Sequence, residues 1–328
     1  MQSRSLLSLS SRARFAATMQ ANRLLSISHV VGGVLLLAFA PSCVRAATVE
    51  TSNFRVTAET RQMAGQIALL AEDLRLQLAN DWLGNELPNW EHVCIVRVDT
   101  TAERMTGSTT FEFTDAGVRG WRMSLRGPLV RIVESLLPHE IAHTILATHF
   151  RRAVPRWADE GIALMAEDEL DRRRVRAMVK SSFASGRLLP IETLLDTDEY
   201  PADKQQLRLL YSQSASLTEF LLISGRRSFL KFVAAGMEHD WTVAIRQVYG
   251  FASLDECEQH WHAWEQSGRP EYSLAGNTML ADAVRNSDAR RSPNTQRETR
   301  SSDSVLAAMT AEDGRPRKIA TASSGGAE

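Results

Sequence analysis

The chain has 328 residues, a formal net charge of −1 and three cysteines. The balanced charge argues against nucleic acid as an obligate partner, because phosphate binding calls for a basic surface. Three cysteines are few, so a disulfide-dense scaffold is excluded. Setting aside an N-terminal segment leaves roughly 280 residues, enough for one sizeable domain or two small ones.

Residues 1–46 are predicted to be a signal peptide. The front of this segment is basic and contains no acidic residue, and residues 30–40 form an apolar run too short to span a bilayer. Small residues near Ala46 suit cleavage before Ala47. The protein is therefore expected to be exported, to the periplasm or the extracellular space. An uncleaved membrane tether is the alternative, and translation could start at Met1 or Met19.

Two cysteines would remain after signal removal, Cys94 and Cys257. In an exported protein they could form one disulfide, and two separately buried thiols fit the sequence equally well. The pattern leaves this open.

The first half of the mature chain alternates strand and helix signals. Residues 53–56 are a short strand candidate, and residues 59–82 form an amphipathic helix whose apolar residues recur at spacings of three and four. Residues 92–98 are rich in Val and Ile, which predicts a strand buried on both faces. Residues 106–125 alternate apolar and polar side chains around a turn at residues 114–117, which predicts a hairpin.

A helix is predicted to begin at Gly127-Pro128, with Pro138 inside it. Proline removes a backbone hydrogen bond and should kink or restart the helix just before His139. The helix that follows is expected to span residues 138–149.

Residues 137–143 read LPHEIAH and contain the H-E-x-x-H pattern. On a helix, His139 and His143 lie about 40° apart on one face, where both imidazoles can bind the same Zn²⁺. Glu140 projects beside them and can accept a proton from water. Two incidental histidines on a surface helix are the alternative.

A catalytic zinc site needs a third protein ligand. His149 follows His143 at the spacing of a longer zinc signature, but Leu146 stands where that signature has glycine, so His149 would point away. Glu160 is the stronger candidate. It lies in a second predicted helix after Pro155, far enough along the chain for that helix to cross the first.

The pair LPHEIAH and PRWADEGIA resembles the gluzincin metallopeptidases, in particular the bacterial peptidase MA-like domains, over roughly residues 53–268. The matching residues are His139, Glu140, His143, Trp157, Glu160, Gly161 and Ala163. The resemblance implies that His139, His143 and Glu160 bind zinc and that Glu140 is the general base of peptide-bond hydrolysis. It also favours a hairpin limb that forms a sheet edge along the cleft, where an extended peptide could add as a strand.

One departure from the thermolysin pattern is visible. That family has Asp four residues after the ligand Glu, and this chain has Leu164. The residue that orients the histidines must then be a different one, with Glu167 or Asp168 as candidates.

The C-terminal half is predicted to be helical. Residues 170–185 carry an Arg-rich solvated face, residues 186–201 are loop-rich, and residues 205–223 form a strong helix. That helix contains Tyr211, a candidate for the residue that stabilises the oxyanion, with a core tyrosine as the alternative. Two short helices follow at residues 229–233 and 241–249, and a capping box at Ser253 opens a last helix.

Together these patterns predict an α+β, zincin-like fold with a small mixed sheet, an H-E-x-x-H helix and a helical C-terminal half. The predicted domains are a signal peptide (1–46), a gluzincin-type metallopeptidase domain (47–268) and a disordered tail (269–328). The expected activity is zinc-dependent hydrolysis of a peptide or protein substrate, with no stable membrane span after signal removal. A secreted zinc-containing binding module without turnover is the alternative. The sequence leaves the cleavage preference and the oligomeric state open.

Overall fold

The computed structural model describes residues 46–270. Almost all of the predicted signal peptide and of the predicted tail lie outside these residues, and the domain boundaries stay predictions. Within the described part of the chain, no helix is both long and apolar enough to cross a membrane.

A five-stranded mixed sheet forms the N-terminal half. Its strands are β1 (Ala47–Glu50), β2 (Phe54–Ala58), β3 (Cys94–Asp99), β4 (Thr106–Thr114) and β5 (Gly117–Arg126), in the spatial order β1-β2-β3-β5-β4. The two central pairings, β2 with β3 and β3 with β5, are parallel, and the two outer pairings are antiparallel. The order leaves β4 at one edge of the sheet.

The long helix α1 (Arg61–Leu83) packs against β1 and β2. The side chain of Thr60 caps its start by accepting from the N–H of Met63, and Gly84 ends it in a left-handed conformation. The apolar stripe of α1 is buried against the sheet, as its spacing predicted. The sheet and α1 form a platform on which the next helices pack.

The predicted helix after Gly127-Pro128 is divided into three parts: α2 (Leu129–Arg131), a π-helical turn (Ile132–Leu136) and α3 (Leu137–Phe150). In the π turn the N–H of Leu137 donates to the carbonyl of Ile132, five residues earlier. Pro138 has no N–H to donate, and its ring would clash with the carbonyl four residues earlier in a regular α-helix. The wider turn relieves this conflict, so the predicted restart of the helix is confirmed.

The remaining elements are helical. They are α4 (Arg156–Met165), α5 (Glu169–Ser185), α6 (Ile191–Leu195), α7 (Lys204–Leu221) with a 3₁₀ turn (Leu222–Ser224), α8 (Arg226–Glu238), α9 (Trp241–Tyr249) and α10 (Leu254–Gln266). One continuous apolar core joins the sheet to most of these helices, from Phe54 and Val96 through Ile141 and Trp157 to Phe232. The α+β class is confirmed.

Three details correct or complete the sequence-based expectations. β1 and the short helix α6 were not predicted, because four- and five-residue elements carry little periodicity. β3 is buried on one face only, since Arg97 is exposed. Cys94 and Cys257 are both buried and unbridged, which decides between the two alternatives left open by the sequence.

Candidate metal centre

The two histidines of the H-E-x-x-H pattern lie side by side on α3. Their ring centroids are 4.9 Å apart and their planes are inclined by 78°. His143 is buried and His139 nearly so, with a side chain that is 13% exposed. The neighbouring residues Ile141, Ala142 and Ile145 are buried in the core, so the helix cannot rotate to point the imidazoles elsewhere.

Glu160 reaches the same point from α4, which crosses α3. One ligand atom from each of His139, His143 and Glu160 lies within 4.8 Å of the other two, and these three residues could hold a metal ion. Trp157, one turn earlier on α4, is fully buried and packs on Phe229 and Phe232. The packing of this tryptophan fixes the face of α4 that carries Glu160.

The two carboxylate oxygens of Glu160 differ in their surroundings. Oε1 accepts a hydrogen bond from the hydroxyl of Tyr200. Oε2 is buried, has no hydrogen-bond partner and lies 3.5 Å from Nε2 of His139. A buried carboxylate oxygen without a partner is costly. A cation between Glu160 and the imidazoles would satisfy this oxygen, so the residues present fit a bound metal.

Each imidazole has a carboxylate behind it. Nδ1 of His139 is 2.8 Å from Oε1 of Glu167, and Nδ1 of His143 is 2.7 Å from Oδ1 of Asp159. Such outer carboxylates orient metal-binding imidazoles and leave Nε2 free to bind. Nε2 of His139 lies 3.5 Å from Oε2 of Glu160, and Nε2 of His143 is left free for the same metal.

Of the two support candidates considered from sequence, the structure places Glu167 beside His139. Asp168 instead caps α5, where its Oδ1 accepts from the N–H of Asp171 at 2.8 Å, and it pairs with Arg131. The support of His143 by Asp159 was missed. Residue 159 precedes the ligand candidate by one position, about 100° away around α4. Only the packing of α4 against α3 shows that the carboxylates of Asp159 and Glu160 both lie beside the imidazole pair.

The electrostatics of the cluster favour positive charge. Burial opposes the protonation of His139, but the neighbouring Glu160 and Glu167 outweigh it and raise its pKa well above the ordinary value. For His143, burial is likewise outweighed by Asp159 and Glu160, and its pKa is raised. A pocket that favours protons on both imidazoles will also favour a metal cation that replaces those protons.

Glu140 is buried on α3 next to strand β4 of the sheet. The hydroxyl of Thr109 on β4 donates to its Oε2 at 2.7 Å. Burial raises the pKa of Glu140, because the charged carboxylate loses its hydration, whereas the two histidines and Thr109 act in the opposite direction. Thr109 was not identified from the sequence, because its partner is 31 residues further along the chain.

The two remaining candidates from the sequence, His149 as a metal ligand and Tyr211 as an oxyanion donor, lie in different surroundings. His149 lies in the last turn of α3, where its ring contacts Phe150, and it is not part of the metal cluster formed among the described residues. Tyr211 on α7 is close to the site: its ring stacks on that of Tyr200 with centroids 6.3 Å apart. Burial, and then the negative charges of Glu160 and Glu140, raise the pKa of Tyr211, so the phenol keeps its proton.

A cleft of about 690 Å³ opens beside His143 and Asp159. Phe111 and Phe113 of the edge strand β4 lie on one side, and Trp241 is also part of the lining. Further lining comes from residues 152–156 after α3 and from Asp196, Asp198 and Glu199 before α7. The cluster therefore adjoins a groove large enough for a small ligand or part of a peptide.

Comparison with known families supports this description. Residues 130–267 match the family model described as the peptidase MA superfamily, a range that includes the π turn, both crossing helices and the helices up to α10. No curated protein and no solved structure matches the chain significantly.

Proposed function

Residues 130–267 match the peptidase MA superfamily model, and on this premise we propose that the protein is a zinc metallopeptidase of the gluzincin type. In this proposal His139, His143 and Glu160 bind Zn²⁺, and Glu140 is the general base. Two imidazoles and one carboxylate are the ligand set of thermolysin-type catalytic zinc sites, which keep a further position open for water.

The single observation that carries the proposal is the convergence of two crossing helices on one point. α3 contributes two imidazoles whose Nδ1 atoms are already engaged, and α4 contributes a buried carboxylate oxygen that has no other partner. If the cluster were only a structural ion pair, it would not need Glu140, which lies beside the cluster and is not one of its members. An adjacent base is what hydrolysis requires.

When bound, zinc acidifies water at its open position and polarises the scissile carbonyl group. The chain supplies the proton transfers. Glu140 takes a proton from the attacking water as the new C–O bond forms, and it returns that proton to the amide nitrogen as the C–N bond breaks. Thr109 holds Oε2 of Glu140 at 2.7 Å and so fixes the orientation of the carboxylate throughout.

The substrate is proposed to be an extended peptide segment. β4 is an edge strand, and its residues Phe111 and Phe113 line the cleft next to His143. An edge strand offers free main-chain N–H and C=O groups to which a peptide can add as another strand. This position would bring a peptide bond of the added strand close to Glu140.

The proposal is tested by metal analysis of the purified protein together with digestion of a mixed peptide pool, with and without a chelator. We expect about one zinc per chain and cleavage that chelation abolishes and zinc restores. Glu140→Gln should keep its zinc while hydrolysis falls by about 10²–10⁴-fold, because the amide cannot accept the proton.

Full activity in Glu140→Gln would rule out this mechanism. Bound zinc without cleavage of any peptide in the pool would instead favour the binding-module alternative. Absence of metal would contradict both.

A further inference from the structure

Tyr200 is positioned to control the third metal-ligand candidate. It lies in the connection between α6 and α7, and its hydroxyl donates a hydrogen bond to Oε1 of Glu160. Oε2 of the same carboxylate has no hydrogen-bond partner and lies 3.5 Å from His139 Nε2. Because one oxygen is held, the carboxylate cannot turn freely about its terminal bond, and the other oxygen stays directed at the imidazoles.

Tyr200 is itself fixed by the start of α4. The guanidinium of Arg156 lies over its ring, 4.4 Å from the centroid. Arg156 also donates from Nε to the carbonyl of Asp198 at 3.1 Å and from its backbone N–H to the carbonyl of Thr197 at 3.0 Å. These bonds tie residues 197–200 to the helix that carries Glu160, so the phenol and the carboxylate form one rigid unit.

The hydrogen bond from Tyr200 to Glu160 lies in a buried environment, where its loss is costly. Glu160 is 1% exposed, and water cannot replace a lost donor at low cost. Asp159 is the preceding residue and bonds to His143, and the buried carboxylate of Glu140 also interacts with both imidazoles. Tyr200 therefore supplies a neutral donor to Glu160 in a pocket that contains two other carboxylates.

We infer that Tyr200 is a positioning residue that holds Glu160 in the orientation in which Oε2 can bind the metal. The inference rests on the proposed function, since it assigns Glu160 as a ligand. It adds to the residues that determine metal affinity one from a segment that the H-E-x-x-H and W-x-x-E-G patterns do not include. The same segment lines the cleft through Asp198 and Glu199, so the metal site and the substrate groove share one connection.

The test uses Tyr200→Phe in the full chain, with Tyr249→Phe as the matched control. Tyr249 is also a buried tyrosine, and its hydroxyl donates to the carbonyl of Leu221 at 3.2 Å, in a bond that involves no residue of the cluster. Zinc affinity is measured by competition with a chromogenic chelator. Tyr200→Phe should bind zinc about 10–100-fold more weakly, as expected for loss of an outer partner of a metal ligand. Tyr249→Phe should bind zinc as the wild type does.

Two further measurements separate positioning from a general structural effect. In a Glu160→Ala background, Tyr200→Phe should have no additional effect on zinc affinity, because the carboxylate that it orients is gone. In cobalt-substituted protein, the visible absorption bands should change in Tyr200→Phe and not in Tyr249→Phe. Far-ultraviolet circular dichroism of the metal-free variants establishes that both are folded.

Equal zinc affinity in wild type and Tyr200→Phe would overturn the inference, as would an equal loss in the Glu160→Ala background. Either result leaves the proposed function intact if the wild-type protein binds zinc and cleaves peptides. Failure of the wild type to bind zinc would instead contradict the proposed function.

Discussion

A Cβ atom at position 107 would lie 2.2 Å from Oε1 of Glu140 and 2.6 Å from Cδ1 of Leu136. The edge strand β4 therefore approaches the α3 carboxylate as closely as it does because residue 107 is glycine. The requirement concerns space and not backbone conformation, because Gly107 has no positive φ angle.

Gly107→Ala should accordingly displace Glu140 or the strand. We expect a loss of about 1–3 kcal/mol in the free energy of unfolding from overpacking, and a lower kcat for peptide hydrolysis. Zinc content should stay unchanged, because the three atoms nearest to the added Cβ belong to Glu140 and Leu136 and not to a metal-ligand candidate. Gly65→Ala is the control: it lies on α1, where the nearest atom to an added Cβ is 4.0 Å away. Wild-type kcat in Gly107→Ala would show that the close approach has no catalytic consequence.

The carboxylates behind the imidazoles should determine metal affinity. Asp159→Asn and Glu167→Gln are each expected to weaken zinc binding by about 10–100-fold, because an amide holds the imidazole less firmly and does not raise its basicity. Asp115→Asn, in the exposed hairpin turn, serves as a control for loss of one negative charge. Chelator competition measures all three variants, and unchanged affinity in both buried variants would refute the supporting role.

Gly161 allows α4 and α7 to pack closely. A Cβ there would lie 2.1 Å from Oγ1 of Thr218 and 2.9 Å from the carbonyl oxygen of Ser214. Gly161→Ala should therefore lower the free energy of unfolding by about 1–3 kcal/mol, measured by denaturant titration. Adding Thr218→Ala should recover part of this loss, since it removes the nearer atom. A greater loss in the double variant would contradict the steric explanation.

Tyr211 stays a predicted oxyanion donor. If its phenol stabilises the transition state, Tyr211→Phe should lower kcat with little change in KM or in zinc affinity. Wild type and Tyr211→Phe are compared by steady-state kinetics on one cleaved peptide. Zinc content is determined on the same samples. An unchanged kcat would leave Tyr211 as a packing partner of Tyr200 only.

The two buried cysteines should resist thiol reagents in the folded protein. Burial, with a smaller contribution from the charge of Glu140, raises the pKa of Cys94 to about 12, and burial also raises the pKa of Cys257. In a variant without the third cysteine, Cys43→Ser, Ellman's reagent should detect no thiol under native conditions and two after denaturation. Fewer than two thiols in the denatured, unreduced sample would indicate a disulfide that the structure does not contain.

The sequence predicted the site best where the spacing between two residues alone determines the direction in which their side chains point. On one helix, a separation of four residues places His139 and His143 on the same face, whatever the rest of the fold does. Pro138 predicted a break immediately before them for an equally local reason, and the structure has a π turn there. The alternating side chains of the β4–β5 hairpin likewise required no knowledge of distant residues.

The missed residues all act across elements. Thr109, Asp159 and Tyr200 reach the cluster through a strand edge, a helix crossing and a connection without regular structure. Their side chains are common in surface positions, and nothing local distinguishes them from solvated polar residues. Such contacts depend on crossing angles and loop paths, which periodicity does not encode.

The π turn at Ile132–Leu136 has a consequence for evolution and for engineering. It contains one residue more than an α-helical path between the same ends would need. Deleting one residue there would close the path into a regular α-helix between the same ends, so His139 and His143 would keep their direction. The cost would fall on Pro138, whose ring would then meet the carbonyl oxygen four residues earlier. The π turn thus allows a proline immediately before the imidazole pair without changing where that pair points.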